Sequence, residues 1–303
     1  MDPEYYDDLI RAVVSGRKIV VCADVLAGAY AQAKTLRALG AKRPFLVAGT
    51  LGTGELPTEA DAEWFMLNTA GDTMMAGIRR FEDALEQLPA ELGPALDRYD
   101  PDHEALVIGT IFMRSGDHFG RRTYGTHLPA WEALEDKIVI DDVFDAVAIP
   151  RAPREIVASD AGAIGAAHVR LDQGAGTALA GDAKAGWWGG AEFFRWVRTD
   201  DDLRDAAAFF AGACDRVRVM PFLEGIPCSV HGMVLDDTVI AFRPVEMVTL
   251  RRGRANRLLY AGIATFWDPP DARREQMRDI ARRLVHIFAR RCPTGDCSRS
   301  TVS

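Results

Sequence analysis

One lysine, Lys184, stands just ahead of three glycines, Gly186, Gly189 and Gly190, in the segment GDAKAGWWGG. An ammonium group beside a pliant backbone rich in N–H donors can hold an anion. Further along, an apolar run ends in Met220, Pro221, Phe222, Leu223, Glu224 and Gly225, and the later segment RPVEMVTL carries Glu246. A cation, a glycine loop and a turn at a strand edge are the parts needed to grip a nucleoside triphosphate between two sheets.

The elements that must position these residues belong to a chain of 303 residues, enough for two or three cores. Apolar residues make up 48% and charged residues 26%, as in an ordinary globular protein. The net charge of −8 argues against nucleic acid as a general partner, because that partner needs a basic footprint. No apolar run approaches the roughly 20 residues of a membrane span. The acidic start, MDPEYYDDLI, is expected to be neither a secretory signal nor a transit peptide. Five cysteines without zinc-type spacing fit a reducing cytoplasm, with Cys22 and Cys228 as small core residues.

The pattern along the chain predicts a short helix over 4–15, a buried strand from Lys18 to Ala23, and a helix from Leu26 to Leu39 stopped by Gly40. A second strand is expected from Arg43 to Ala48, then a helix over roughly 73–90, an acidic loop, ELGPALDRYDPDHE, and a third strand from Ala105 to Ile111. Alternating strand and helix imply a right-handed parallel α/β unit. GTLGTG, from Gly49 to Gly54, follows the second strand and lacks the GxGxxG spacing, so it reads as a decoy.

From Pro129 the pattern changes. A helix is expected from Trp131 to Phe144, a strand-like edge in AIPRAPREIVAS, and a helix over 160–168. A strand from Leu179 to Lys184 and another from Glu192 to Val197 would be joined by the glycine–tryptophan loop. Asp200 to Ala213 reads as a helix, Arg216 to Phe222 as a strand, and Ser229–Leu235 with Thr238–Phe242 as a hairpin across Asp236 and Asp237. Asp271 to Arg291 is an amphipathic helix with Met277, Ile280, Leu284, Ile287 and Phe288 on one face.

Taken in order, GDAKAGWWGG, MPFLEG, RPVEMVTL and YAGIATFWDPP resemble the ATP-grasp superfamily, in particular proteins similar to natural-product peptide ligases. The resemblance implies an α/β fold with a Rossmann-like pre-ATP-grasp domain over 1–130 and a two-lobed ATP-grasp domain over 131–303. It implies ATP and Mg²⁺ as cofactors and small-molecule carboxylate and amine substrates, joined through an acyl phosphate. Lys137, in LEDK, then matches a first phosphate-binding lysine and Lys184 a second. Gly186, Gly189 and Gly190 match the loop that closes over the phosphates; Met220, Phe222 and Leu223 match the strand that holds the adenine edge. Glu224 matches a ribose-binding carboxylate, and Glu246 is the candidate metal ligand. No catalytic side chain is assigned.

Plainer readings stand beside these. Lys184 by itself reads as a solvated surface residue, and Lys137 as a helix residue paired with Glu132 or Glu135. Trp187 and Trp188 either pack over a core edge or cap the loop against substrate. Glu224 before Gly225 is also ordinary turn chemistry, Glu246 fits a solvent-facing strand position, and His231 fits a strand face. Arg251, Arg252, Arg254 and Arg257 read as a solvated loop that also suits an anionic substrate. Two further readings of the whole chain are a non-catalytic ATP-binding remnant and a Rossmann-type oxidoreductase.

The family pattern continues with a GxFxVDG strand and a Glu-x-Asn-x-Arg hairpin, whereas this chain ends in CPTGDCSRSTVS. One choice of codons for that tail, read in the neighbouring frame, spells VPYRGLFSVDGV. The expectation is therefore a truncated or frameshifted C-terminus over 292–303 and a poor or inactive ligase of marginal stability.

Overall fold

The computed structural model describes residues 3–291 apart from 111, 112, 114, 115, 126–133, 135, 185, 187, 188, 190, 236, 237 and 253–256. The chain divides into two compact units that meet in sequence between Trp131 and Glu132.

The first unit runs α1 (Pro3–Val14), β1 (Ile19–Val25), α2 (Leu26–Ala38), β2 (Phe45–Thr50), β3 (Glu63–Met66), α3 (Met74–Glu86), α4 (Leu92–Tyr99), β4 (Leu106–Ile108) and β5 (Thr123–Tyr124). Its described strands form one sheet in the order β3-β2-β1-β4-β5, paired in parallel throughout. Both faces are buried, which explains the unbroken apolar runs. Ile19, Val21, Leu46 and Ala48 pack toward Leu26, Ala29, Tyr30, Ala33 and Leu36 of α2. Val20, Cys22, Phe45 and Val47 pack the other way, against Phe81 and Leu85 of α3 and Leu92 and Leu96 of α4. Gly40 ends α2 as expected, at φ +100°, where a Cβ would stand 2.7 Å from the Ser15 hydroxyl.

The supposed acidic loop holds a helix instead. Gly93 and Pro94 lie in the first turn of α4, where the N–H that proline lacks has no intrahelical partner anyway. Leu92 and Leu96, one turn apart, are buried and fix that helix to the sheet. Beyond it, Arg121 is almost wholly buried against Asp100. Its Nε donates to Asp100 Oδ2 at 2.7 Å, Nη1 to the Phe119 carbonyl at 2.6 Å, and Nη2 to the Asp100 and Leu96 carbonyls at 2.8 and 3.3 Å. Burial pushes the Asp100 carboxyl up, but the Ala105 N–H and the Arg121 guanidinium outweigh it and hold the group below the ordinary range.

The second unit opens with α5 (Ile140–Ala146), β6 (Glu155–Ala158), α6 (Ala161–Leu171), β7 (Thr177–Gly181), β8 (Phe194–Val197), α7 (Asp200–Ala211) and β9 (Arg216–Pro221). The strands pair antiparallel in the order β6-β9-β7-β8. One face of this sheet meets α6 and α7 through Leu179, Val197, Val217 and Val219 against Ile164, Ala167, Ala206, Ala207 and Phe210. Both helices start on sequence-encoded caps. The Asp160 side chain accepts from Ala163 N, and Thr199 with Asp202 forms a capping box. Then come β10 (Cys228–Ser229), β11 (Gly232–Leu235), β12 (Thr238–Ala241), β13 (Val245–Arg252), β14 (Arg257–Ala264) and α8 (Asp271–Arg291). β13 pairs with β10 and β14, and β11 pairs with β12, all antiparallel. Arg278 of α8 donates to the Ala241 carbonyl at 2.9 Å. Among the described residues no helix is long and apolar enough to cross a membrane.

Several expectations need correction here. The helix expected from Trp131 to Phe144 starts only at Ile140 among the described residues, and Lys137 sits in the turn before it. The Asp136 side chain accepts from Ile138 N at 2.8 Å, a local bond that competes with helix. The strand expected to reach Lys184 stops at Gly181, because Asp182 turns the chain by accepting from Lys184 N at 3.1 Å. The arginine run is not simply a loop: Arg251 and Arg252 end β13 and Arg257 begins β14, while Arg254 lies outside the described residues. Cys22 is buried as expected, but Cys228 is exposed, and His231 precedes β11 instead of lying on it. Trp187, Trp188, Asp236, Asp237, the Glu132 and Glu135 expected to pair with Lys137, and residues 292–303 also lie outside the described residues.

Candidate nucleotide site

The register of the antiparallel sheet sorts its side chains by face. Ala180 lies across from both Phe194 and Arg218, and Ala178 across from both Trp196 and Met220. Since Leu179, Val217, Val219 and Val197 face the helices, these residues occupy the opposite face. That face carries an ordered series: an aromatic end, a floor of two alanines, then a guanidinium.

The aromatic end is Trp196 and Phe222. Their rings stack with centroids 4.2 Å apart and planes 21° apart. The indole is oriented by its Nε1, which donates to the Ala175 carbonyl at 2.8 Å, and Phe222 by its N–H, which donates to the Gly176 carbonyl at 2.9 Å. Gly176 suits that approach: it has φ +83°, and a Cβ there would stand 2.2 Å from the Val197 carbonyl oxygen. The Arg251 guanidinium lies 4.5 Å from the Trp196 ring centroid and that of Arg198 4.3 Å. Arg251 Nη2 also donates to Glu224 at 3.1 Å, so this side chain near the end of β13 ties Glu224 to the aromatic pair. On the helix side of β8, Arg195 lies 3.6 Å over the Phe209 ring. Burial, with Arg257 nearby, pulls its guanidinium down to about 10.

Farther along the face, Arg218 reaches Asp141 of α5. Arg154, which precedes β6, reaches the same carboxylate. Sequence reasoning singled out neither arginine, nor Trp196. The signal was nonetheless there: in RVRVMP, Val217 and Val219 alternate with Arg216, Arg218 and Met220, which is the mark of a strand with one apolar face and one chemical face. Nothing in IDDVFDA marks Asp141 out from its acidic neighbours.

The expected site residues separate into two groups. Met220 and Phe222 come together with Trp196, Glu224 is tied to them through Arg251, and Leu223 is 65% exposed beside them. Lys184 lies toward the other end of the sheet, the end that carries Arg218. It follows the Gly181–Val217 end of the β7–β9 pair, whereas Phe222 follows the Thr177–Pro221 end. Those ends are about 13 Å apart by strand rise. Lys184 Nζ donates to Asp215 Oδ1 at 2.7 Å, and that bond pushes its ammonium above the ordinary lysine range. Gly186, at φ +93°, donates to the Ala183 carbonyl, Gly189 accepts from Glu192 N, and Gly190 lies outside the described residues. Lys137 stands four positions before Asp141 at the start of the same short segment. Glu246, on β13, lies across from Cys228 and Ala264. Among the described residues no three His, Cys, Asp or Glu side chains gather as a metal cluster.

No protein-family model matches the chain, and no curated protein matches it. Solved structures do. The N5-carboxyaminoimidazole synthetase of Staphylococcus aureus complexed with ADP aligns over 90% of this chain and 64% of its own, with 12% identity and a TM-score of 0.53. Phosphoribosylamine–glycine ligase from Thermotoga maritima aligns over 90% and 62%, with 10% identity and a TM-score of 0.55. D-alanyl-alanine synthetase A from Vibrio cholerae aligns over 91% and 82%, with 12% identity and a TM-score of 0.51. The chain spans 64% of the length of the first of these structures, just under two thirds. At such identities the likeness is one of fold alone, the fold that this chain shares with these synthetases and this ligase.

Proposed function

We propose that this ATP-grasp chain binds ATP on the sheet face that α6 and α7 leave free, and spends it on joining a carboxylate to an amine. The observation behind this reading is the series on that face, aromatic pair to alanine floor to guanidinium, in a fold shared with a synthetase complexed with ADP. The purine lies against Trp196 and Phe222, edged by the backbone at Met220 and Leu223. Glu224 takes the ribose hydroxyls once Arg251 gives it up.

The chemistry asks mainly for positioning and charge neutralisation. The substrate carboxylate attacks the γ-phosphorus and ADP departs, leaving an acyl phosphate. The amine then attacks the acyl carbon, and inorganic phosphate leaves with the bonding pair. An acyl phosphate hydrolyses in water, so the loop of Gly186, Gly189 and Gly190, carrying Lys184, closes over it. Mg²⁺ would supply charge neutralisation on the phosphates. Glu246 is the protein ligand proposed for it, with phosphate oxygens and water completing the shell, as one or two carboxylates suffice for this ion.

The test is ATP-dependent phosphate release by the full chain across panels of carboxylates and amines, with Lys184→Ala as control. Substrate-dependent release that Lys184→Ala abolishes is the expected result, and calorimetry showing no ATP binding overturns the reading. A second reading, ATP binding without turnover, draws on the engaged state of the expected groups: Lys184 is neutralised by Asp215, and Glu224 by Arg251. Thermal stabilisation by ATP without phosphate release favours that one.

A further inference from the structure

Asp141 has no exposed surface and meets two guanidinium groups. Arg218 places Nε 2.7 Å from Oδ2 and donates from Nη2 to Oδ1 at 2.7 Å. Arg154 places Nε 2.6 Å from the same Oδ2, and its Nη2 reaches Asp142 at 2.7 Å. The arginine side chains are 13% and 16% exposed, whereas that of Asp142 is 77% exposed and sits in solvent. Two largely buried cations thus share one buried anion. A surplus charge away from water is costly unless another counter-ion arrives.

The donors are not used up. A guanidinium offers more N–H groups than these contacts take. Among the described residues no acceptor takes Nη1 of Arg154 or of Arg218. Arg218 stands across from Ala180, whose side chain is a single methyl group, and two positions from Met220, about 7 Å along the strand. The spare donors therefore belong to the face that carries the aromatic pair.

We infer that Arg154 and Arg218 form the subsite for the phosphate chain of the nucleotide, with Asp141 as the residue that aims both guanidiniums and sets the positive charge left over for the ligand. This inference rests on the nucleotide reading above. Phosphate oxygens accept from guanidinium N–H groups in the forked geometry that arginine favours, and they bring the missing negative charge. Lys184 follows the same end of the β7–β9 pair, but its ammonium is engaged by Asp215.

The experiment compares the affinities of ATP and adenosine for the full chain by calorimetry. Arg218→Lys keeps a cation for Asp141 but loses the fork, and the ATP-to-adenosine affinity ratio falls by about tenfold or more. Asp141→Asn leaves more positive charge, and the ratio rises. A ratio that stays put in both variants while their melting temperatures drop assigns these residues to folding alone and overturns the proposal. Should either variant fail to fold, the unaltered chain decides: inorganic tripolyphosphate displaces ATP if the subsite exists, and its failure to compete overturns it. If neither adenosine nor ATP binds, the nucleotide reading falls too. If adenosine binds but tripolyphosphate does not compete, only the phosphate subsite is lost.

Discussion

Two buried carboxylates in this chain are neutralised in opposite ways. Asp100, in the first unit, shares one guanidinium whose Nε, Nη1 and Nη2 all find acceptors, mostly backbone carbonyls. Asp141, in the second, draws in two guanidiniums and leaves donors of each without acceptors among the described residues. The first group is closed and behaves as a fastener. The second is open, and one of its guanidiniums reaches out to the exposed Asp142 as well. The sheets beside them differ in the same sense, since the parallel sheet is apolar on both faces and the antiparallel one on a single face.

The hardest test of that contrast is Arg121→Met. It leaves Asp100 buried and unpaired, which should cost the first unit about 3–5 kcal/mol in urea unfolding while the ATP-to-adenosine affinity ratio stays unchanged. A cost below about 1 kcal/mol, as for an exposed pair, would break the contrast. Next in size, Phe222→Ala removes one ring of the stack. About 1–3 kcal/mol of stability should go, and nucleotide affinity with it. Retained affinity in a titration would move the purine elsewhere.

Acidification sharpens the closed group specifically. Because the folded state holds Asp100 below its ordinary range, its contribution is complete above the unfolded value, about 3.9, and is lost as pH falls through the folded value. Unfolding free energies at pH 7, 5 and 3 should show that loss, and Arg121→Met should flatten the part of the slope that Asp100 causes. The smallest effect belongs to the exposed pair. Lys184→Ala should leave the melting temperature unmoved, since Lys184 and Asp215 are 63% and 62% exposed. A clear drop in a thermal melt would show that this pair, too, fastens the fold.

The parallel unit was legible in its sequence because a strand buried on both faces writes an uninterrupted apolar run, as in Ile19–Cys22 and Phe45–Ala48. α4 was missed because Gly93 and Pro94 sit where punctuation signals a loop, yet in a first turn they cost little. At the site, Met220 and Phe222 could be placed from the run that contains them. Trp196 could not, since its partner across the strand is a bare alanine and nothing local says which ring it will meet. The pairing of Asp141 with Arg154 and Arg218 joins three segments distant in the chain, and only the tertiary fold specifies it. Lys184 caught attention through its neighbours, but the antiparallel run of β7 against β9 puts it at the end of the sheet away from Phe222.

The pairing of β7 with β9 has a consequence for how this chain tolerates change. Because successive residues of a strand alternate between faces, inserting or deleting a single residue inside β9 would turn Arg218 toward Phe210 and its neighbours and aim a valine where the guanidinium had been. Substitution alters one contact there, whereas a frame slip exchanges an entire surface for its opposite. Length variation should therefore be confined to the turns flanking Arg216 and Pro221, and a library of single-codon deletions scanned through this region would reveal that boundary.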